Sequence, residues 1–253
     1  MRAEVMTLGT PNPRQREFLA CEKKYVAFGG ARGGGKSWAV RCKAKLLALR
    51  YAGIRILLVR RSLAELEANH LAFLRQELAD VAEYRAGERQ FRFCNGSVLQ
   101  FGYCGCDRDL DRYQGAEYDV IFLDEATQLK EQWMRQIAAC VRGVNDFPKR
   151  IYYTCNPGGP GHGYIKRLFI DRRFEDGEQP EDYAFIPARV TDNTALLARQ
   201  PDYLKTLEAL PYKLRRAWLE GRWDVFAGQV FQEFTDDPDH YDDRRWTHVI
   251  RPF

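Results

Sequence analysis

A glycine-rich segment near the start of the chain has the residue types and spacing of a phosphate-binding loop. It follows an apolar run, opens a helical pattern and fits G-x-x-x-x-G-K-[ST] over residues 30–37. Glycines let successive backbone N–H groups face one anion, and the start of a helix adds positive charge there. Lys36 is expected to reach the β and γ phosphates of a nucleotide, and the Ser37 hydroxyl to bind Mg²⁺. The predicted nucleotide-binding residues of this loop are Gly30, Ala31, Arg32, Gly33, Gly34, Gly35, Lys36 and Ser37.

Two adjacent carboxylates end a second apolar run. The residues Val120 to Leu123 predict a buried central strand, and Asp124 and Glu125 follow directly. Ligands of open α/β sheets bind at the carboxyl ends of the strands. We expect Asp124 to hold Mg²⁺, directly or through water, and Glu125 to polarise the attacking water, which implies hydrolysis rather than transfer to a small acceptor. The alternative interpretation is a solvated strand end.

A third strand pattern, Ile151 to Cys155, ends in short polar side chains before Pro-Gly-Gly turns the chain. Thr154 and Asn156 are predicted to lie at this tip as sensor residues. Asn156 is placed to detect whether a γ-phosphate is present. The competing interpretation is an asparagine that only caps a proline turn.

An upstream amide is the candidate adenine contact. Gln15 follows Pro-Asn-Pro-Arg, and its side chain offers both the donor and the acceptor that an adenine edge needs. On its own this signal is weak. We therefore predict an adenine contact for Gln15 only in combination with the other motifs.

The elements that must position these residues alternate between strand and helix patterns. Such alternation predicts an α/β domain with a mostly parallel central sheet flanked by helices on both faces. Asn95-Gly96 predicts a hairpin with a type I′ turn. The predicted strands are Tyr25 to Phe28, Ile54 to Val59, Phe91 to Phe93, Val98 to Tyr103, Val120 to Leu123, Ile151 to Cys155 and Tyr183 to Ile186. The predicted helices are Ser37 to Tyr51, Leu63 to Val81, Asp202 to Ala209 and Tyr212 to Glu220.

Composition excludes several classes of protein. The 253 residues are 45% apolar and 29% charged, which fits a globular chain and neither a disordered nor a fibrous one. No apolar run approaches the roughly 20 residues of a membrane span, and the N-terminus does not resemble a signal peptide. The net charge of +4 is too small to indicate nucleic-acid binding by itself. We expect a soluble intracellular protein.

The cysteine pattern favours reduced thiols. Seven cysteines without a C-x-x-C pair do not resemble a disulfide framework. A zinc site built from Cys94, Cys104, Cys106 and His162 lacks the repeated short spacing that such sites use. We interpret these cysteines as small buried hydrophobic residues.

Taken in order, these motifs resemble the ATPase domain of the large terminase subunit of tailed bacteriophages, the motor that packs DNA into a procapsid. The phosphate-binding loop alone is not specific, whereas the ordered set is, and it covers nearly the whole chain. Beside the segments above, the matching residues are Tyr113-Gln114-Gly115, Tyr118-Asp119-Val120, Asp124-Glu125-Ala126, Thr154 to Gly159, Gly161-His162 and Glu220-Gly221-Arg222-Trp223-Asp224.

The resemblance implies a fold, cofactors and partners. The fold is the additional-strand P-loop NTPase fold, and the cofactors are ATP and Mg²⁺. The partners are double-stranded DNA, a portal protein and the small terminase subunit, with a homo-oligomeric ring on assembly, a monomer in isolation and no membrane. The place of action is the host cell cytoplasm, at the portal vertex of the procapsid.

Arginines carry further expectations. Arg32 is similar to the family's arginine inside the loop, which acts on phosphates or rearranges with the neighbouring motif. An arginine finger from an adjacent subunit is expected before the Asp-Glu strand, where Arg112 is preferred over Arg108. Arg60 and Arg61, at the end of the second strand, are candidates for DNA or phosphate contact, and a solvated strand end is the alternative for both.

The domain prediction places a P-loop ATPase domain at residues 1–225, with a short helical C-terminal subdomain at about 192–225. Residues 226–253 are predicted to be a linker or the start of an absent RNase H-like nuclease domain. The acidic residues Asp236, Asp237 and Asp239 lie in a polar loop pattern, so we expect no DNA cleavage by this chain. The alternative functions are a helicase-like DNA-remodelling ATPase and a nucleotide-binding regulatory module without turnover.

Overall fold

The computed structural model describes residues 9–225. The predictions for residues 226–253 lie outside this range. Within it, the chain builds one eight-stranded sheet in the order β3-β4-β5-β2-β6-β7-β1-β8. The strands are β1 (Tyr25–Gly30), β2 (Arg55–Arg60), β3 (Ala82–Arg85), β4 (Gln90–Phe93), β5 (Val98–Tyr103), β6 (Val120–Leu123), β7 (Arg150–Cys155) and β8 (Tyr183–Ala188).

Helices connect the strands and extend beyond the last of them. The α-helices of the described residues are α1 (Pro13–Ala20), α2 (Lys36–Arg50), α3 (Leu63–Leu66), α4 (Ala72–Glu77), α5 (Glu131–Ala138), α6 (His162–Ile165), α7 (Thr194–Arg199), α8 (Asp202–Glu208) and α9 (Tyr212–Trp218). Helices thus lie where the C-terminal patterns predict them. None of the helices in residues 9–225 is both long and apolar enough to cross a bilayer.

Parallel pairing brings the polar strand ends together. β1 lies between β7 and β8, and β6 lies between β2 and β7, all in parallel register. The residues that follow β1, β2, β6 and β7 therefore meet at one edge of the sheet. Only the β3-β4-β5 side of the described sheet is antiparallel, which confirms the mostly parallel sheet.

Side chains of the central strands alternate between two buried faces. Phe122 and Tyr152 pack with α2 on one face, whereas Ile121 and Tyr153 pack with α5 on the other. Successive residues of a strand point to opposite sides, so a strand buried on both faces must be apolar throughout. The helices on both faces confirm the three-layer prediction.

The predicted hairpin of β4 and β5 is confirmed, but its predicted turn type is wrong. The Gly96 N–H donates to the Phe93 carbonyl at 2.9 Å, and Gly96 has a φ of 83°. Asn95 does not adopt a positive φ, whereas type I′ needs one at both central residues. The loop between Phe93 and Ser97 has three residues, one more than a type I′ hairpin loop. In this longer loop only Gly96 needs the left-handed conformation. The sequence patterns also fail to indicate β3, which has no apolar run.

The predicted helix from residue 63 is interrupted in its middle. The segment Glu67–Leu71 between α3 and α4 is a π-helix, in which each turn holds an extra residue. We call residues 63–77 as a whole the 63–77 helix. Ser62 caps its start by accepting the Glu65 N–H at 3.3 Å. The helix packs beside α2 on the face of the sheet that contains Phe122.

Candidate active site

The phosphate-binding loop follows β1 and opens α2, as the sequence predicts. Gly33 and Gly35 both have a φ of 77°, which side chains other than glycine rarely adopt. α2 begins at Lys36 with Gly35 as its cap residue. The loop therefore presents backbone N–H groups at a helix start, the arrangement that favours an anion.

Lys36 is buried and directed across the loop. Its ammonium donates to the Ala31 carbonyl at 2.6 Å and to Asn156 Oδ1 at 2.8 Å. Burial lowers the pKa of Lys36, and the negative charge of Glu125 is the largest effect that opposes this. A buried ammonium with a spare donor is suited to a phosphate oxygen.

Asn156 joins Lys36 to the carboxylate of Glu125. Its Nδ2 donates to Glu125 Oε2 at 2.8 Å, while its Oδ1 accepts from Lys36. Its backbone carbonyl accepts the Thr127 hydroxyl at 2.8 Å, which fixes the segment. The asparagine is therefore more than a cap for the proline turn, since its amide contacts two predicted catalytic groups.

Glu125 lies in a strained conformation just after β6. Its φ of 53° is in the left-handed region, which costs about 1–3 kcal/mol and is typical of functional sites. Its N–H donates to Thr154 Oγ1 at 2.9 Å, and the same hydroxyl donates to Asp124 Oδ1 at 2.5 Å. Both hydrogen-bonding roles of Thr154 are thus used inside the protein. The sensor role of Thr154 stays a prediction, and in the structure its hydroxyl joins the Asp124 carboxylate to the backbone N–H of Glu125.

Asp124 is enclosed by basic groups that the sequence patterns do not place there. His70 Nε2 lies 2.8 Å from Asp124 Oδ2, and Arg60 Nε lies 2.9 Å from the same oxygen as an ion pair without aligned hydrogen-bond geometry. Burial raises the pKa of the Asp124 carboxyl, but the charge and hydrogen bond of His70, the charge of Arg60 and the Thr154 hydroxyl together hold this pKa well below its usual range. Asp124 is therefore a carboxylate at neutral pH.

The contact of Arg60 with DNA or phosphate stays a prediction, and its position in the cavity lining favours phosphate. Its side chain is 8% exposed, and its Nη2 lies 3.7 Å from Glu125 Oε1 beside the contact with Asp124. The guanidinium is directed into the nucleotide site because two carboxylates lie at the end of the neighbouring strand. Arg61 is exposed, with Nη1 3.5 Å from Gln128 Oε1, so for Arg61 the DNA contact stays a prediction.

Gln15 and Arg32 contact other parts of the protein. The Gln15 amide donates to the Gly35 carbonyl at 3.0 Å and accepts the Asn12 N–H at 2.9 Å, so it braces the loop and the start of α1. The guanidinium of Arg32 stacks 3.3 Å from the ring centre of Trp218 in α9. The predicted contacts of Gln15 with adenine and of Arg32 with phosphate remain predictions.

A cavity of about 590 Å³ opens onto these groups. The predicted residues that line it are Arg32, Gly33, Gly34, Gly35, Lys36, Ser37, Glu125 and Asn156. The 63–77 helix adds Glu65, Asn69 and Phe73. Oxygen donors suit Mg²⁺, and here the Ser37 hydroxyl lines the cavity while Asp124 lies just behind it. The donor set therefore fits the predicted metal ion.

Arg112 lies at the protein surface. Its side chain is 41% exposed, pairs with Asp109 at 3.1 Å and lies over the Tyr103 ring at 3.9 Å. It does not line the cavity of its own chain. Its role as an arginine finger for an adjacent subunit remains a prediction.

The segment after Asn156 is tied to the C-terminal helices by His162. Its Nδ1 accepts the Gly158 N–H at 3.0 Å, and its Nε2 donates to the Trp223 carbonyl at 3.1 Å. The His162 and Trp223 rings also stack, with centroids 5.2 Å apart. These contacts fix the imidazole tautomer.

The interpretation of the cysteines as buried residues is wrong for Cys94 and Cys106, which are exposed. Within residues 9–225, no group of three His, Cys, Asp or Glu side chains is arranged to hold a metal ion.

The fold and the site together define an additional-strand P-loop NTPase. The family model for the N-terminal part of terminase large subunits of the T4-like virus type matches residues 27–235 of this chain. This chain belongs to the terminase large subunit family. No curated protein is similar enough in sequence to be matched.

Solved structures share this fold at low sequence identity. The large terminase of a thermophilic bacteriophage in complex with ADP has a TM-score of 0.68 and 16% identity, and the match covers 84% of this chain and 53% of that one. The ATPase domain of the Thermus phage P74-26 large terminase has a TM-score of 0.61 and 14% identity, with 85% and 94% covered. The HK97 bacteriophage large terminase has a TM-score of 0.53 and 12% identity, with 77% and 44% covered. The present chain thus spans about half of the length of the terminase in complex with ADP.

Proposed function

We propose that this chain is the ATP-hydrolysing motor of viral genome packaging, which couples hydrolysis of Mg-ATP to translocation of double-stranded DNA into a procapsid. The observation that carries the proposal is the hydrogen-bonded path from Lys36 through Asn156 to Glu125. This path connects Lys36, a cation that can bind a phosphate group, to Glu125, a carboxylate that can accept a proton from water. Family membership supports it, as do the complexes of the thermophilic bacteriophage terminase with ADP and with ATP-gamma-S.

Lys36 and Asn156 give this site a response to nucleotide. An ammonium has three donors, and two of them are used by the Ala31 carbonyl and Asn156 Oδ1. A phosphate oxygen competes for Lys36, because it is a charged acceptor and the amide is not. The Asn156 amide then changes its partner while it still contacts Glu125. Binding of phosphate is thereby communicated to the carboxylate that orients water.

Glu125 is the residue that acts on water. Its side chain is 24% exposed and lines the cavity, so a water molecule has access to it. Asn156 and the bond from its own N–H to Thr154 hold its direction. A positioned carboxylate that accepts a proton contributes about 10²–10⁴-fold in rate. The strained φ is tolerated because these contacts over-determine it.

The metal ion would be held by Ser37 and, through water, by Asp124. When bound, Mg²⁺ supplies positive charge that neutralises the phosphate oxygens in the transition state. The chain's own contribution is the direction of its ligands. Asp124 Oδ1 contacts Thr154 alone among the described residues and keeps an acceptor position, whereas Oδ2 faces His70 and Arg60.

Assembly and partners are part of the same proposal. The exposed Arg112 would reach the nucleotide site of an adjacent copy in a ring. The exposed Arg61 would contact the phosphate backbone of DNA. Portal protein and small terminase subunit are the further partners, in the host cytoplasm at the portal vertex. A helicase-like ATPase and a module without turnover are the outcomes that the tests below distinguish.

The first test measures phosphate release and binding of ATP-gamma-S by the parent chain and two variants. Glu125→Gln should abolish Mg²⁺-dependent release and retain binding, because glutamine keeps the shape but is a poor base. Lys36→Ala should weaken binding itself, since of these two residues Lys36 is the one that contacts ground-state phosphates. Absence of hydrolysis in the parent, alone and with portal and DNA, would favour the regulatory module.

The second test addresses translocation. The parent chain is mixed with portal-bearing procapsids, linear duplex DNA and Mg-ATP, and nuclease-protected DNA is measured. We expect protection with ATP and none with ATP-gamma-S or with Glu125→Gln. ATP-dependent strand separation without protected duplex would favour the helicase-like function.

A further inference from the structure

A histidine outside every sequence motif contacts the metal-site carboxylate. His70 is fully buried, and its Nε2 lies 2.8 Å from Asp124 Oδ2, although 54 residues separate the two in the chain. A carboxylate only accepts hydrogen bonds, so Nε2 must be the donor. Among the described residues, His70 Nδ1 has no hydrogen-bond partner. The contact with Asp124 is therefore the polar interaction that orients this ring.

His70 lies on the buried face of the helix, within the π-helical turn. Leu66, His70 and Leu74 are fully buried at steps of four, the spacing of one helix face. The extra residue of Glu67–Leu71 widens the buried face, so that His70 and Leu71 both lie inside. π-Turns of this kind are frequent at functional sites.

The two oxygens of Asp124 are used unequally. A carboxylate has about four acceptor positions. His70 and Arg60 face Oδ2, and the Thr154 hydroxyl faces Oδ1. The described residues thus leave one position, on Oδ1. The Asp124 side chain is fully buried behind the cavity lining, and its contacts hold Oδ2 while Oδ1 keeps an acceptor position.

We propose that His70 is a positioning residue for Asp124, which occupies Oδ2 together with Arg60 and leaves Oδ1 as the oxygen available to Mg²⁺ or to one of its waters. This inference rests on the proposed function. It makes the 63–77 helix part of the metal site, although it touches the nucleotide cavity only through Glu65, Asn69 and Phe73.

The neighbours of Asp124 are tied to the helix that carries His70, which strengthens the assignment. Arg60 Nη1 donates to the Glu65 carbonyl at 3.2 Å, and Arg41 Nη1 from α2 donates to the Asn69 carbonyl at 2.7 Å. Asn69 lies inside the π-turn, and Glu65 lies just before it. The helix is thereby anchored where His70 must be held.

The test varies the reach and the donor of residue 70. His70→Gln places an amide N–H near the position of Nε2, His70→Asn has the same chemistry with a shorter reach, and His70→Leu removes the donor. The readout is the MgCl₂ concentration that gives half-maximal binding of ATP-gamma-S to the full chain, together with binding in EDTA and the melting temperature. Leu74→Ala, fully buried in the same helix, is the control for destabilisation alone.

We expect His70→Leu and His70→Asn to raise the required Mg²⁺ concentration about 10- to 100-fold, the usual effect of losing a contact to a metal ligand. His70→Gln should stay near the parent, and binding in EDTA should not change in any variant. Leu74→Ala should lower the melting temperature and leave the Mg²⁺ requirement unchanged.

Three results would overturn the inference. Equal Mg²⁺ requirements in His70→Leu, His70→Asn and the parent exclude a positioning role. An equal rise in Leu74→Ala assigns the effect to helix stability. Nucleotide binding by the parent that does not depend on Mg²⁺ at all contradicts the proposed function, and the inference fails with it. If His70→Leu does not fold, the Mg²⁺ requirements of His70→Gln and His70→Asn are compared, and equal values for these two variants would overturn the inference.

Discussion

Lys36 Nζ lies 2.8 Å from Asn156 Oδ1, although 120 residues separate these two in the chain. The contact is buried and links the phosphate-binding loop to the segment that follows β7. Because Asn156 also donates to Glu125 at 2.8 Å, any change in the partner of Lys36 reaches the Glu125 carboxylate, for which we propose the role of orienting water, through one side chain. This contact and its neighbours have consequences that can be measured.

The first prediction concerns Asn156→Asp. The new carboxylate keeps the acceptor for Lys36 but loses the donor to Glu125 and puts a like charge beside it. We expect kcat for ATP hydrolysis to fall by about 10²-fold or more, and KM to rise as well because the new carboxylate competes with phosphate for Lys36. Steady-state kinetics measure both constants. Asn145→Asp, in an exposed loop, is the matched control, and an equal loss there would remove the special role of Asn156.

The second prediction separates two neighbouring arginines. Arg61→Ala should reduce DNA-stimulated hydrolysis and leave basal hydrolysis unchanged, because Arg61 is exposed and each lost phosphate contact weakens duplex binding. Arg60→Ala should reduce basal hydrolysis, because it removes a partner of Asp124 and Glu125. Phosphate release with and without duplex DNA gives both rates. Identical profiles for the two variants would contradict this division.

The third prediction concerns the glycine turn after Asn156. Gly159 has a φ of +96°, and a Cβ there would collide with the Thr127 carbonyl oxygen. Gly177 has a φ of +88° with nothing within 4 Å of its Cβ position. Both Ala substitutions add backbone strain of about 1–2 kcal/mol.

Only Gly159→Ala also displaces the loop, so it should lower the free energy of unfolding further and reduce kcat, because Thr127 holds the Asn156 carbonyl. Urea denaturation and phosphate release test the pair. A loss of stability as large in Gly177→Ala would show that strain alone is responsible.

The fourth prediction concerns pH and a buried lysine. Lys43 is 5% exposed, and burial, followed by the charge of Arg150, lowers its pKa to about 8. The unfolded value is about 10.4. Between these values the unfolded chain binds a proton that the folded chain has released, so this group makes the free energy of unfolding rise with pH.

The parent should therefore gain stability relative to Lys43→Met as pH rises from about 8 to 10.4, by up to about 3 kcal/mol. Denaturation curves at several pH values give the difference. Lys23→Met, at an exposed position, should show no such trend, and a flat difference for Lys43→Met would contradict the lowered pKa.

Much of the sheet follows from local sequence. β6 coincides with its predicted bounds because Val120 to Leu123 is an uninterrupted apolar run closed by two acids. β1 extends two residues beyond its predicted end and β2 one residue, since hydrogen bonding to neighbouring strands continues past the apolar residues. β3 escapes prediction because its side chains are not apolar enough, and pairing with β4 stabilises it.

Some of the site residues, like most of the strands, can be predicted from the sequence, and others cannot. The phosphate-binding loop and the acids after β6 are predictable, because their chemistry depends on residues adjacent in the chain. His70 escapes prediction, although it lies four positions from Leu66 and from Leu74, which puts it on the buried face of the predicted helix. The ion pairs of Arg60 with Asp124 and Glu125 escape prediction because nothing local indicates that its strand lies beside β6.

The sequence by itself determined seven of the eight strands of the described sheet and some of its helices, and that a glycine-rich loop and two acids stand at strand ends. Short-range backbone preferences and apolar patterns are sufficient for that. Only the tertiary structure decided that Thr154 links the Asp124 carboxylate to the Glu125 N–H, that Gln15 braces the loop and that His70 and Arg60 surround Asp124. These roles depend on which strand lies beside which and on the few ångströms between buried groups, and in a low-dielectric interior those distances decide the partner of every charge.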